Sequence, residues 1–314
     1  MSMRILILGA GATGGYFGAL LAKAGVDVTF LVRPTRRDQL QRDGLAIKSH
    51  LGDVTTPVKA ITRDEISGTY DAIVLSSKAY GLADAIETIR PAVGDKTLIL
   101  PLLNGMRHLD DLDRAFGAEH VLGGTCHISV VLDADGTIRH LSPFASLTQG
   151  PRTAAQREGA ARLQQELERG GFDARFSSDV IGTMWEKWFF LATLAAATCL
   201  MRASVGEIVR TDEGERLISS MLAECSAVAA ACGHPPSTAA QEGARATLTD
   251  RQSNISASML RDIQRGGEIE SDHIVGDLIR RGREHGVPTP LLDVAYVHLQ
   301  AYQNRFKAAA ETAV

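Results

Sequence analysis

Cysteine is scarce in this chain. It has four, Cys126, Cys199, Cys225 and Cys232, in 314 residues, and none forms a CxxC pair. Such spacing argues against a disulfide framework and against a structural zinc site. Reduced thiols in the cytosol are the simplest reading, so a cytoplasmic protein is expected. An excess of one charge is also missing. Lys plus Arg is 33 and Asp plus Glu is 37, a formal net charge of −4, with no basic arm at either end. Nucleic acid is therefore not an expected partner. Long apolar runs are absent. The longest, Trp188 to Met201, has 14 residues, too few to span a bilayer. Met3-Arg4-Ile5-Leu6-Ile7-Leu8 is too short for a secretory core, and glycines follow at once. No internal repeat and no low-complexity tract is found. Neither a membrane nor a metal is implied.

What remains is an ordinary globular composition, 45% hydrophobic and 22% charged. That length and composition predict two domains with a sizeable core. The first half alternates β-branched runs with amphipathic helices, which predicts βαβ units around a parallel sheet. Strands are expected at 3–8, 26–32, 71–77 and 97–103, and helices at 12–24, 36–43, 82–90, 109–116 and 154–168. Gly52-Asp53 separates strand-like runs at 45–48 and 54–60, and Asp133-Ala134-Asp135-Gly136 separates runs at 121–132 and 137–141, which predicts two antiparallel hairpins. A strand at 172–177 closes this half. After Ser178 helical patterns dominate, with breaks at Gly233-His234-Pro235-Pro236, Gly266-Gly267 and Gly286-Val287-Pro288. The alanine-rich C-terminal tail is expected to fray. The fold class is thus α/β: a Rossmann-type doubly wound sheet over residues 1–178, then an all-helical domain over residues 179–314.

Gly9-Ala10-Gly11-Ala12-Thr13-Gly14 is a GxGxxG run between an apolar strand and a helix. Gly9 permits the tight turn, Gly11 lets backbone approach a pyrophosphate, and Gly14 allows close helix–strand packing. Free N–H groups of Ala12 and Thr13 at the helix start would face the phosphates. The end of the second strand then selects the cofactor. An NAD enzyme usually places Asp or Glu there. This chain has Leu31-Val32-Arg33, with Arg36 and Arg37 close behind. A guanidinium at Arg33 suits a 2′-phosphate, so NADP(H) is the expected cofactor. Arg36 and Arg37 also fit a solvated first helical turn.

Ser76-Ser77-Lys78 and Asn104-Gly105-Met106 end two further strands. Ligands of a doubly wound sheet bind outside such carboxyl ends, which places Lys78 and Asn104 near the nicotinamide or the substrate. Solvent exposure and Asn-Gly turn chemistry explain the same residues equally well. In the helical half, Lys187 sits inside Met184-Trp185-Glu186-Lys187-Trp188-Phe189-Phe190-Leu191. Such a lysine either snorkels to solvent or occupies a partly desolvated pocket, where it becomes a usable general acid. Ser258 and Asp262 share a helix face, and Ser256 or Ser258 could equally be an N-cap.

Together these pieces resemble the ketopantoate reductase (2-dehydropantoate 2-reductase) family over nearly the whole chain. The resemblance rests on the order Gly9-x-Gly11-x-x-Gly14, Lys78-Ala79, Asn104-Gly105-Met106 and Trp185-x-Lys187. Ser258-Met259-Leu260-x-Asp262, Glu270 and Gly286-Val287-Pro288-Thr289-Pro290 complete it. It implies a helical domain similar to those of 6-phosphogluconate dehydrogenase relatives. It also implies that Lys187 donates the proton and that Glu270 positions it. Ser258, Lys78 and Asn104 would contact substrate or nicotinamide, and Arg33 would read the 2′-phosphate. The implied reaction is hydride transfer from NADPH to a 2-keto acid.

One departure stands out. The family carries asparagines four and eight positions after the lysine, and this chain has Leu191 and Ala195 there. Thr198 is then the nearest polar residue on that face and becomes a candidate substrate contact, with Arg202 and His127 as other sources of polar groups. Three readings follow: an authentic ketopantoate reductase, a paralogue reducing a more apolar 2-keto acid, and an NADP(H)-sensing protein without catalysis. The apolar helical half is compatible with a homodimer.

Overall fold

A computed structural model of the chain describes residues 2–312. Internal contacts divide it into two units. One holds the residues up to Leu103 together with His108–Thr183. The other holds Asn104–Arg107 together with the residues from Met184 onward.

The first unit begins β1 (Arg4–Leu8), α1 (Ala12–Lys23), β2 (Asp27–Leu31), α2 (Pro34–Asp43), β3 (Leu45–Lys48), β4 (Val54–Thr56) and β5 (Lys59–Ile61). It continues through β6 (Ala72–Leu75), α3 (Leu82–Ile89), β7 (Leu98–Pro101) and, from His108 on, α4 (Arg107–Phe116). β8 (Gly123–His127), β9 (Val130–Leu132), β10 (Ile138–His140), β11 (Ser146–Gly150), α5 (Arg157–Glu168) and β12 (Asp173–Phe176) complete it. Five strands form a parallel sheet in the order β5-β2-β1-β6-β7. Ile5 of β1 stands between Val28 of β2 and Ala72 of β6. Ile5, Leu6, Phe30, Ala72 and Ile73 are fully buried, as unbroken apolar runs must be in a sheet covered on both faces. Strand order reverses between β1 and β6, so the crevice at their carboxyl ends is the switch point where such sheets take ligands.

Both hairpins form, β3–β4 and β9–β10. The run expected to continue β4 to Ala60 breaks at Pro57, which has no N–H to give a ladder, and β5 joins β2 instead. The sequence did not reveal that the hairpins merge. β10 pairs β3 in parallel, Ile138 opposite Ile47, and makes a four-stranded sheet. Helix α1 packs between the two sheets. A Cβ on Gly15 would come within 2.4 Å of Ile138 Cδ1, and one on Gly18 within 2.4 Å of Ile7 Cδ1. Strand β11 also escaped the sequence reading. It is wholly buried and pairs β8 and β12. Its interior includes Gln149, whose Nε2 donates to Ala160 O at 3.0 Å and to Gln164 Oε1 at 3.2 Å, and a buried amide erases the apolar signature of an inner strand.

The second unit carries α6 (Val180–Met201) from Met184 on. α7 (Val205–Val209), α8 (Gly214–Ala231), α9 (Thr238–Leu248), α10 (Ser258–Gln264), α11 (Asp277–Glu284) and α12 (Pro290–Thr312) follow. A π-helical turn, Asp272–Gly276, leads into α11. Among the described residues this unit contains no strand. α6 buries Trp185, Trp188, Phe189, Ala192, Ala195, Ala196 and Cys199. A helix apolar on nearly every side belongs at the centre of its unit. Glu224 of α8 accepts hydrogen bonds from Leu291 N and Leu292 N, both at 3.0 Å, and so caps the open N–H groups of α12. Among the described residues no helix is long and apolar enough to cross a membrane. The last two residues of the tail expected to fray lie outside the described residues.

Candidate active site

The first unit offers a cradle for a dinucleotide. β1 runs into Gly9, at φ +85, whose N–H donates to Leu31 O at 2.9 Å and ties the loop to β2. Gly11 is the N-cap of α1, with no side-chain cap and no acidic residue in the first turn. The first helical bond runs from Gly15 N to Gly11 O, 2.9 Å, so the N–H groups of Ala12, Thr13 and Gly14 are left at the helix start for an anion. A Cβ on Gly11 would meet nothing within 4 Å, whereas one on Gly14 would stand 2.2 Å from Ser76 Oγ and 3.2 Å from Ile7 Cγ2. Gly11 thus leaves room for a ligand, and Gly14 keeps the helix against the sheet. These residues fit the pyrophosphate of a nicotinamide dinucleotide.

The three arginines after β2 have different surroundings. Arg33 is the exposed N-cap of α2, and among the described residues its side chain makes no hydrogen bond or ion pair. Arg37 pairs with Glu65 and Asp38, both at 2.9 Å. Arg36 is not in a solvated turn, as the sequence allowed. It is half-buried, and its guanidinium donates to Ala10 O, Gly136 O and Gln39 Oε1. Lys78 is exposed beyond β6, at the start of a 3-10 turn over Ala79–Gly81. Beside it the buried Ser77 hydroxyl has no hydrogen-bond partner among the described residues, a rare condition that leaves this strand end incomplete by itself.

The second unit gathers a different group. Asn104 follows β7 in the chain but clusters with the helical residues. Its Oδ1 accepts a hydrogen bond from Lys187 Nζ at 3.1 Å. The next residue explains the docking. Gly105 has φ +81, and a Cβ there would be 2.5 Å from His273 O in the π-helical turn, a contact only glycine permits. Trp188, beside Lys187, donates its indole N–H to Ile274 O of the same turn at 2.9 Å, and this bond is buried. π-turns recur at functional sites because they re-aim side chains. Glu270 is buried just before this one, and its carbonyl accepts from His273 N and Ile274 N. Lys187 and Asn104 are thus joined directly, and the turn that follows Glu270 holds both Gly105 and Trp188. The bond from Trp188 was not foreseen; two tryptophans flanking a lysine were its only sequence signal.

Ser258 is the first residue of α10, partly buried, and Ala257 rather than a serine is the N-cap. The expectation for Thr198 needs correction. Thr198 is fully buried. Its hydroxyl donates to Leu194 O at 2.7 Å and accepts from Ala257 N at 3.3 Å. It also lies about 16 Å along α6 from Lys187, so it anchors the start of α10 instead of facing a substrate. Ala195 is likewise fully buried, and Leu191 is partly exposed. Arg202, just beyond α6, donates to His298 at 3.3 Å. Burial pushes the thiols of Cys199 and Cys225 up to about 12, which makes them poor nucleophiles. A cavity of about 670 Å³ elsewhere in the first unit is lined by Tyr16, Lys23, Ser49, His127, Phe144 and Arg175 among others; the glycine loop, Arg33 and Lys78 take no part in it.

A glycine cradle at the switch point of a parallel sheet marks a dinucleotide-binding protein. Comparison with known proteins makes the class specific. Residues 5–153 match ketopantoate reductase PanE/ApbA, and residues 179–303 match the ketopantoate reductase PanE/ApbA C-terminal region. The chain belongs to the ketopantoate reductase family. It is 34% identical to the uncharacterized oxidoreductase YkpB of Bacillus subtilis over 301 residues, 96% of this chain and 99% of that protein. It is 28% identical to a 2-dehydropantoate 2-reductase of Mesorhizobium japonicum over 93% of this chain and 95% of the relative. The crystal structure of a PanE/ApbA family ketopantoate reductase from Ralstonia eutropha JMP134 superposes with a TM-score of 0.86 at 26% identity, covering 97% of this chain and 100% of that one. A D-mandelate dehydrogenase with NADH and anilino(oxo)acetate shares the fold, with a TM-score of 0.87 at 22% identity and coverage of 97% and 100%.

Proposed function

We propose that this oxidoreductase reduces 2-dehydropantoate (ketopantoate) to pantoate with NADPH, a step of pantothenate and coenzyme A biosynthesis in the cytoplasm. The hydrogen bond from Lys187 Nζ to Asn104 Oδ1 carries the reading, because it gives the family's proton donor a fixed direction. NADPH, when bound, supplies hydride to the keto carbon. The chain supplies the rest. Ala12, Thr13 and Gly14 N–H groups bind the pyrophosphate, and Arg33, exposed and unpaired among the described residues, binds the 2′-phosphate. Lys78 contributes a cation on the nicotinamide side. The Asn104 amide oxygen engages Lys187 Nζ and fixes its direction, and the ammonium protonates the carbonyl oxygen as charge grows on it. Glu270 positions Lys187, and Ser258 contacts the substrate. Residues 1–178 thus serve cofactor binding, and residues 179–314 serve protonation.

A second reading is favoured by Leu191 and Ala195. A site that binds a substrate hydroxyl normally keeps polar partners for it, and this face of α6 keeps none at those positions. A more apolar 2-keto acid is the alternative substrate. Oxidation of NADPH with ketopantoate, beside branched and aromatic 2-keto acids, separates the two. A kcat/KM for ketopantoate above roughly 10⁴ M⁻¹s⁻¹ is expected. Tight NADPH binding with turnover confined to the apolar acids would replace it with the second reading.

A further inference from the structure

Arg36 lies in the first turn of α2, and its charge is spent inside the protein. Nη2 donates to Ala10 O at 3.2 Å and to Gly136 O at 3.0 Å, and Nη1 donates to Gln39 Oε1 at 2.6 Å. Gln39 Nε2 in turn donates to Asp135 O at 2.5 Å. Ala10 is the middle of Gly9-Ala10-Gly11. Asp135 and Gly136 are the tip of the β9–β10 hairpin, 100 residues from Arg36 in the chain. The approach is close: a Cβ on Gly136 would lie 2.1 Å from Arg36 Nη1, and Gly136 has φ +87. Burial pulls the guanidinium below its ordinary value, yet an arginine stays charged. A half-buried cation that bonds two backbone carbonyls from distant segments is a clamp.

The loop it clamps has reason to need one. Ala10 stands between two glycines, the residues that lose most conformational freedom on ordering. A loop already held in its binding shape costs a ligand less to order. We propose that Arg36 is a positioning residue, which keeps the dinucleotide loop in its binding shape by tying Ala10 to the tip of the β9–β10 hairpin. Arg33 and Arg36 then divide the work: the exposed one recognises charge, and the buried one holds shape. The hairpin becomes a remote determinant of cofactor affinity. This inference rests on the reading of the glycine loop as the dinucleotide site.

The test titrates NADPH and NADH, by their own fluorescence, into the wild type and into Arg36→Met, Arg36→Lys, Gly136→Ala and Arg33→Ser. Arg36→Met should raise the Kd of both cofactors by the same factor, about tenfold, because the pyrophosphate and its loop are common to both. Arg36→Lys should recover part of the loss. Gly136→Ala should weaken both, and its effect should not add to that of Arg36→Met. Arg33→Ser should weaken NADPH alone. Amide exchange in the cofactor-free protein should quicken in Arg36→Met at the hydrogen-bonded N–H groups of Gly9 and Gly15, which flank the loop, while the β1 and β2 amides keep their protection. Unchanged Kd values in folded Arg36→Met and Gly136→Ala would overturn the inference. So would a loss confined to NADPH, which would make Arg36 a phosphate reader. A wild type that binds neither cofactor would instead overturn the reading of the loop itself.

Discussion

The glycine loop after β1 and the lysine on α6 solve different problems. In the proposed reaction the loop binds through backbone N–H groups, and its side chains matter by being small: a Cβ on Gly11 meets open space, and one on Gly14 meets Ser76 and Ile7. The lysine, as the proposed proton donor, depends on a side chain whose partner comes from another segment, with Asn104 held beside it by a glycine contact to the π-turn. One region is built from local spacing and the other from long-range packing. They should therefore fail differently when altered.

The largest contrast is expected at Lys187. Lys187→Ala should lower kcat by roughly 10²–10⁴-fold, the usual worth of a placed general acid, and leave the Kd of NADPH where it was. A mutant with near wild-type kcat would remove Lys187 from the chemistry. The loop should show the reverse. Gly11→Ala should weaken dinucleotide binding by about tenfold or more without moving Tm, since its methyl group meets only open space. Gly14→Ala should cost about 1–3 kcal/mol of stability by overpacking, read as a lower Tm. Equal effects of the two on Tm would break the distinction drawn between a ligand-facing and a sheet-facing glycine.

A smaller effect is expected where the second region is held together. Trp188→Phe keeps most of the bulk but strands the Ile274 carbonyl, a loss of about 1–3 kcal/mol. Chemical denaturation that gave the mutant wild-type stability would show the π-turn to be held by other contacts. The smallest effect concerns pH and the first unit. Burial holds the His140 imidazole below its ordinary value. The unfolded chain therefore takes up its proton at a higher pH than the folded protein does. This contribution to stability is complete above the ordinary imidazole range and shrinks as pH falls through it. Tm should drop between about pH 7.5 and about pH 5.5 by more in the wild type than in His140→Gln. Parallel drops would assign the pH response elsewhere.

Much of the first region was readable because its signals are local. The strand before Gly9, the glycine spacing and the helix after it are contiguous, and both hairpin turns sit within a few residues of the strands they join. The same reading allowed Arg36 a solvated turn and did not see its role, because its partners Ala10 and Gly136 lie far away in the chain. It also missed β11, whose buried Gln149 finds partners for its Nε2 on a helix that follows later. In the helical region Lys187, Asn104 and Glu270 could be singled out by type and by family resemblance, while Thr198 was misjudged. A hydroxyl on the right helical face looks available until its bonds to Leu194 and Ala257 are seen.

Spacing and periodicity alone therefore specify an α/β half with a dinucleotide loop and a helical half carrying an embedded lysine. These follow from steric and hydrogen-bonding rules that act within a turn or two of chain. The merging of the hairpins, the clamp on Ala10, the meeting of Lys187 with Asn104 and the burial of Thr198 were settled by packing. Each depends on which distant groups share a desolvated space, and a polar group buried there must take whatever partner folding brings to it.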